Sequence, residues 1–161
     1  MTPGDMEFAV REMRFACERG NIDKVKHLLA WGVEADQEVE GTSLLETAAR
    51  HGHHVVTKAL LKAGAKPSMR ALLAGVFSGS RHTADHIADE LHFMGEDPAA
   101  FPWSTVLGKR ENLEQLTGEM AQWLVDQQID VAETDSFGRS IAELAGKHAR
   151  REVAEIFARS V

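Results

Sequence analysis

The stretch EGTSLLETAARHGHHVVTKALLKAGA, residues 40–65, decides how the fold of this chain is interpreted. Its apolar residues recur three and four positions apart, a spacing that indicates short amphipathic helices rather than strands. Three glycines divide the stretch: Gly41 precedes the first helical segment, Gly52 separates it from the second, and Gly64 follows the second. Because glycine commonly ends helices and forms turns, the pattern predicts two short helices that meet at Gly52.

A second stretch repeats this pattern earlier in the chain. In ACERGNIDKVKHLLAWGV, residues 16–33, the inter-helix glycine Gly20 precedes Gly52 by 32 residues, and the paired leucines and the closing glycine keep the same offset. A helix pair of this size cannot bury its own apolar stripe, so neighbouring pairs must stack to form one continuous core. The chain is therefore predicted to be a row of helix pairs.

This arrangement, with its period of about 33 residues, resembles the ankyrin repeat. The second pair has the family's hairpin glycine, small pair, inter-helix Gly-His, leucine pair and closing Gly-Ala. Two positions depart from the family pattern, because Leu44 stands where proline is usual and Glu46 where histidine is usual. The matching residues are Gly41, Ala48, Ala49, Gly52, His53, Leu60, Leu61, Gly64 and Ala65.

The resemblance implies an all-α fold, an ankyrin-like solenoid of helix-turn-helix repeats with short β-hairpin-like loops, in a single domain over residues 1–161. In the divergent middle of the chain we place the inter-helix turns at Gly79 and Asn112, and the closing positions at Gly95 and Gln128. Both spacings are four residues longer than in the first two repeats, so the outer helices of repeats three and four should each gain one turn. The five repeats are expected at about 5–36, 37–66, 67–98, 99–133 and 134–161.

Composition limits the functional classes. The net charge of -7 argues against general nucleic-acid binding, which usually needs a basic surface. The single cysteine cannot form an intramolecular disulfide, which suits a reducing compartment. The acidic N-terminus has no long apolar run, and no stretch has the length of about 20 apolar residues that a membrane helix needs. We therefore expect a cytoplasmic protein without membrane contact, which is monomeric when alone.

Three histidines, His51, His53 and His54, lie within four positions of the second repeat. In the repeat frame their side chains leave a turn in different directions, which is poor geometry for tetrahedral zinc. His53 is expected to bond backbone groups of the adjoining turn, His54 to be solvated, and His51 to face a partner.

The better metal candidate is the set His82, His86 and Asp89, which share one face of a predicted helix. That face lies opposite the apolar stripe, so a solvated surface is the preferred explanation. Cys17 occupies a core-facing position, where an inert buried thiol is expected. We find no catalytic constellation and predict no enzyme activity, no metal and no cofactor.

The three tryptophans differ in expected role. Trp123 occupies a leucine-pair position and should be core, whereas Trp31 precedes a closing glycine and should be partly exposed. Trp103 lies at a junction between a loop and a helix, where it could either contact a partner or fill space.

The resemblance also implies a binding surface, because ankyrin-like arrays bind proteins through hairpin tips and the ends of inner helices on the concave side. In this sequence that surface is mostly basic, although the protein is acidic, so we expect a protein partner with an acidic patch. The expected contact residues are Arg19, Val39, Glu40, Thr42, Arg50, His51, Phe77, Ser78, Trp103, Lys109, Arg110, Phe137, Arg139, Lys147 and His148.

Small proteins that resemble this family and consist of one repeat domain include inhibitors, adaptors and immunity partners of toxins. We expect an inhibitor or immunity-type protein, because a binding module without other domains acts most simply by occluding a site. The alternatives are an adaptor that joins two partners and, with less support, a metal-dependent enzyme that uses the His82, His86 and Asp89 face.

Overall fold

The computed structural model describes residues 2–161, and these are mostly α-helical, as the sequence predicts. The only paired strands in that range are two short ones that form a hairpin. The chain divides into two compact units, the first ending at Gly95 and the second comprising Glu96–Val161. No helix among the described residues is long and apolar enough to cross a membrane.

The first unit consists of three helix pairs arranged in two rows. The inner helices α1, α3 and α5 pack side by side, and the outer helices α2, α4 and α6 pack beside one another in the same order. Stacking therefore supplies the core that no single pair could form. The elements are α1 (Pro3–Arg19), α2 (Ile22–Trp31), β1 (Glu38–Val39), β2 (Thr42–Ser43), α3 (Leu44–Arg50), α4 (His54–Lys62), α5 (Met69–Ser78) and α6 (Arg81–Phe93).

The glycines that the repeat identifies end the helices of this unit. Gly20, Gly52 and Gly79 follow the inner helices with φ of 68°, 70° and 81°. A left-handed residue at this position ends a helix at little cost only when it lacks a Cβ atom. The inter-helix turns predicted from the sequence in the first three repeats are thus confirmed.

The second unit has a less regular course. It begins with a short 3₁₀ turn (Pro98–Ala100). Its helices are α7 (Ser104–Leu107), α8 (Arg110–Gln115), α9 (Gly118–Asp126), α10 (Ile141–His148) and α11 (Arg151–Arg159). They pack in one connected series, with α7 against α8, α8 against α10, α10 against α11, and α11 against α9.

The prediction of a longer outer helix is confirmed in the third pair and is wrong in the fourth. Helix α6 has 13 residues, against 10 in α2 and 9 in α4. In the fourth pair the extra residues belong to the inner segment, which breaks between α7 and α8, and α9 has only 9 residues.

The predicted position of the fourth inter-helix turn, at Asn112, is also wrong. Asn112 lies inside α8, where its side-chain amide donates to the carbonyl of Val106 at 2.8 Å. The turn falls instead at Thr117, whose hydroxyl accepts from the backbone N–H of Met120 and so caps α9. The predicted closing residue Gln128 does follow α9 with a φ of 65°.

Candidate partner-binding site

The hairpin of the first unit presents three of the expected contact residues. Val39 pairs with Thr42 across the two strands, and Glu40 and Gly41 form the tip with φ of 53° and 79°. Two consecutive left-handed residues are typical of the tight turns that match the twist of a hairpin. The tip is therefore a defined loop that projects Glu40 into solvent.

A groove of about 650 Å³ runs between this hairpin and α1. Arg14 on α1 spans part of it, pairing with Glu18 at 3.1 Å and with Glu40 at 2.7 Å. The α1 side of the groove was not predicted as a binding surface, although Met6, Val10 and Arg14 share one helical face at spacings of four. The lining residues are Met6, Glu7, Val10, Arg11, Arg14, Phe15, Gln37, Glu38, Val39 and Glu40.

The expected basic residues of the first unit have nearby partners. The Arg19 guanidinium lies 5.9 Å from the centre of the Phe15 ring. Arg50 pairs at 2.8 Å with Glu46, whose side chain is only 9% exposed. The other carboxylate oxygen of Glu46 lies 3.6 Å from Arg70. Because Glu46 is nearly buried between two arginines, it offsets much of the positive charge expected at Arg50.

The remaining expected residues of this unit are tied to their own helices. The exposed His51 donates from Nδ1 to the Thr47 carbonyl at 2.9 Å. Ser78, half-buried beside the half-buried Phe77, donates its hydroxyl to the Gly75 carbonyl at 2.7 Å. These bonds fix the side chains at the helix ends without removing them from the surface.

Trp103, an expected contact residue, is instead part of the core of the second unit. Its side chain is 1% exposed, and its indole Nε1 donates to the carbonyl of Pro98 at 2.9 Å. The ring of Phe101 meets it edge-on at 5.4 Å. The space-filling role is therefore correct for Trp103, and the partner-contact role is wrong.

A second groove, of about 450 Å³, lies within the second unit between α7 and the loop that precedes α10. It brings together three expected contact residues, Lys109 and, about 30 positions later in the chain, Phe137 and Arg139. The other lining residues are Ser104, Thr105, Gly108, Thr134, Asp135 and Ser136.

The loop at this groove is held in one shape by Asp135. Its Oδ1 accepts from the backbone N–H groups of Phe137 at 2.9 Å and Arg139 at 3.0 Å, and its Oδ2 accepts from Arg139 Nε at 2.9 Å. The backbone N–H of Arg139 is the main reason that the pKa of Asp135 lies below its ordinary value. A carboxylate that stays ionised keeps the loop ordered over a wide pH range.

Phe137 is the most exposed aromatic side chain of the second unit's described residues, at 80%. The Arg139 guanidinium lies 5.1 Å from its ring centre, close enough for a cation–π contact. An exposed aromatic ring on a loop with little remaining freedom loses little entropy on binding, which favours tight contact with a partner.

The last three expected residues of this unit lie on helices. Arg110 pairs with Glu114 at 2.6 Å, and that carboxylate raises the pKa of Arg110. Lys147 is exposed and His148 is half-buried in the final turn of α10. Arg139 pairs in the same way with Asp135 at 2.8 Å, so Lys109 and Lys147 are the more accessible of the expected cations in the second unit.

His53 and His54 are adjacent in the chain but have different surroundings. His53 Nε2 donates to the carbonyl of Glu18 at 2.9 Å, so its expected role at the turn is confirmed. The expectation for His54 is wrong, because its half-buried ring lies against α6, 5.1 Å from the His82 ring and 6.2 Å from the His86 ring.

The candidate metal ligands His82, His86 and Asp89 are not brought together. Within residues 2–161, no group of three or more histidine, cysteine, aspartate or glutamate side chains is arranged to hold a metal ion. His86 is turned toward α4 and half-buried, whereas Asp89 is exposed, so His82, His86 and Asp89 do not converge.

The histidine cluster makes the stability of the first unit sensitive to pH. Burial, then Lys58, His54 and His82, lower the pKa of His86, while Asp85 opposes them. The unfolded chain therefore takes up a proton more readily, and stability is lost as pH falls through about 6.5 toward the lower folded pKa. Urea unfolding should show a lower midpoint at about pH 5.5 than at about pH 7.5.

The control for this pH effect is a pair of single variants. His86→Asn should reduce the difference between the two midpoints, whereas His148→Asn, in the second unit, should leave it unchanged. An equal pH dependence in His86→Asn and the parent protein would contradict the assignment to this cluster.

Cys17 is fully buried, and burial, with a smaller contribution from Glu18, raises its pKa to about 12. A thiol with this pKa stays protonated at neutral pH and is a poor nucleophile. The expectation of an inert core thiol is confirmed.

Comparison with known proteins identifies no family for this chain. No protein-family model matches the chain, and no curated protein matches it.

Proposed function

We propose that this chain is an ankyrin-like repeat protein that binds a protein partner. Support for the family comes from the helix pairs, the hairpin with its tip at Glu40 and Gly41, and the left-handed glycines at the predicted positions. A row of such pairs exposes loops at regular intervals, which suits recognition of a protein surface.

The proposal rests mainly on Phe137, an exposed ring on a loop that hydrogen bonds hold in one conformation. Its ring is 80% exposed, yet Asp135 fixes the loop on both sides of it. Lys109 and Arg139 line the same groove, and because Asp135 pairs with Arg139, the charge left for a partner is mainly that of Lys109. An aromatic ring with a cationic surround fits an apolar side chain flanked by carboxylates on the partner.

An inhibitor or immunity-type role is the form of this function that we favour. A binding module acts most directly by covering the active surface of another protein. The second candidate is an adaptor, favoured by the separate groove along α1 in the first unit, which could receive another protein.

The test is affinity capture from the native host, followed by measurement with the purified partner. Phe137→Ala should weaken binding about 30-fold, because it removes a central aromatic contact. Lys109→Glu should weaken binding most at low salt, where charge attraction is least screened. The matched control is Phe93→Ala, at a ring that is 88% exposed in the first unit.

If Phe137→Ala and Phe93→Ala bind the partner with equal affinity, Phe137 does not contact the partner. If the captured protein loses its activity in the complex, the result supports the inhibitor role. A ternary complex with a second protein, abolished by changes along α1, would support the adaptor.

A further inference from the structure

The first helix pair has an apolar groove on the side formed by α1 and α2 alone. The groove encloses about 350 Å³. Phe8, 64% exposed, and Trp31, 42% exposed, flank it, and Leu28 forms part of its floor. Two exposed aromatic rings at one groove form an apolar patch, and such patches mark interaction surfaces.

Charge on the groove is divided between the two helices. Along α1, Asp5, Phe8 and Glu12 are three and four residues apart and form one stripe. Along α2, Lys24, His27 and Trp31 have the same spacing. One rim is therefore acidic and the other basic, with aromatic rings in both stripes.

An ion pair fixes the register between the stripes. The ammonium group of Lys24 donates to the carboxylate of Glu12, so these residues lie opposite each other. The helices run in opposite directions, and Asp5 and Trp31 each lie seven residues farther toward the same end. In this register Phe8 lies opposite His27, and Asp5 lies opposite Trp31.

We propose that this groove is the interface of a symmetric dimer in which a second copy of the chain covers Phe8 and Trp31. A two-fold axis parallel to the helices places α1 of one copy over α2 of the other. Glu12 then faces the partner's Lys24, and the two internal ion pairs join into a ring of four alternating charges. An isologous interface requires such self-complementarity.

The charge pattern favours a second copy over an unrelated protein. A two-fold rotation in this orientation places Glu12 against the partner's Lys24 and sets Phe8 and Trp31 against the partner's helices, without any other chain. A rotation about an axis perpendicular to the helices would instead place α1 over α1, with acidic rims facing each other. The dimer replaces the monomer expected from composition.

Sedimentation equilibrium of the full chain over a wide concentration range provides the first test. We expect a reversible transition to twice the mass of one chain, with a blue shift of tryptophan emission as Trp31 becomes covered. Phe8→Glu and Trp31→Glu should each move the midpoint to at least about tenfold higher concentration. Phe93→Glu, at an exposed ring of the same unit outside the groove, should leave the midpoint unchanged.

Charge variants test the two-fold arrangement itself. Glu12→Lys and Lys24→Glu should each weaken self-association, because like charges then meet across the interface. An equimolar mixture of the two variants should form a mixed dimer that is more stable than either variant's own dimer. Circular dichroism confirms that each variant keeps its helices.

Two results would overturn the proposal. One is a single mass of one chain at every concentration, with no shift in emission. The other is self-association that Phe8→Glu and Trp31→Glu do not weaken more than Phe93→Glu does, which would place the interface elsewhere.

Discussion

Replacing Gly20 with alanine should lower the free energy of unfolding by about 3 kcal/mol, from two separate causes. Gly20 has a φ of 68°, where a side chain adds strain of about 1–2 kcal/mol. An added Cβ would also lie 2.6 Å from Nδ1 of His53, so the ring must move. That movement breaks the hydrogen bond from His53 to the Glu18 carbonyl, which contributes about 1 kcal/mol. Urea unfolding followed by circular dichroism measures the loss.

Gly41 provides the matched control. Its φ of 79° is close to that of Gly20, but an added Cβ would meet no atom within 4 Å. Gly41→Ala should therefore cost only the backbone strain, about 1–2 kcal/mol. The double variant Gly20→Ala with His53→Ala should lose less than the sum of the two single changes, because the clash disappears with the ring. If Gly20→Ala costs no more than Gly41→Ala, the contact with His53 has no energetic role.

Gly20 and His53 also explain why much of the first unit could be predicted from sequence. A turn that needs a positive φ selects glycine, so a glycine recurs at a fixed position in each of the first three helix pairs. The role of His53 follows from that position, since the ring reaches back to the preceding turn. The small pair Ala48 and Ala49, fully buried as expected, follows from close helix packing in the same way.

Features that depend on contacts between distant residues were harder to predict. His54 was expected in solvent because its position at a helix start says nothing about α6, which supplies His82 and His86. Asn112 tolerates the turn conformation that was assigned to it, but a hydrogen bond to Val106 uses it within a helix. The sequence around His54 and Asn112 does not indicate either contact.

The charges of the expected binding surface could have been predicted better. Glu46 precedes Arg50 by four residues and Arg110 precedes Glu114 by four, spacings at which helical side chains pair. Counting these partners would have reduced the expected positive charge at both arginines. Phe137 and Arg139 were identified from their position in the repeat, whereas their fixed geometry depends on hydrogen bonds to Asp135.

Replacing Trp103 with alanine should destabilise the second unit by about 3–5 kcal/mol. The ring is among the largest fully buried side chains of the described chain, so its removal leaves a cavity beside Phe101. The change also leaves the Pro98 carbonyl without the indole N–H that now donates to it. Thermal unfolding should show a midpoint lower by well over about 10 °C for a unit of this size.

Trp103→Phe separates the two contributions. It keeps most of the ring volume and removes the donor, so the expected loss is smaller, about 1–3 kcal/mol. The same variant distinguishes a core residue from a contact residue. Below its unfolding midpoint Trp103→Phe should bind the partner with unchanged affinity, whereas Phe137→Ala should not. Weaker binding by a fully folded Trp103→Phe would mean that Trp103 shapes the groove through Pro98 and the segment that follows it.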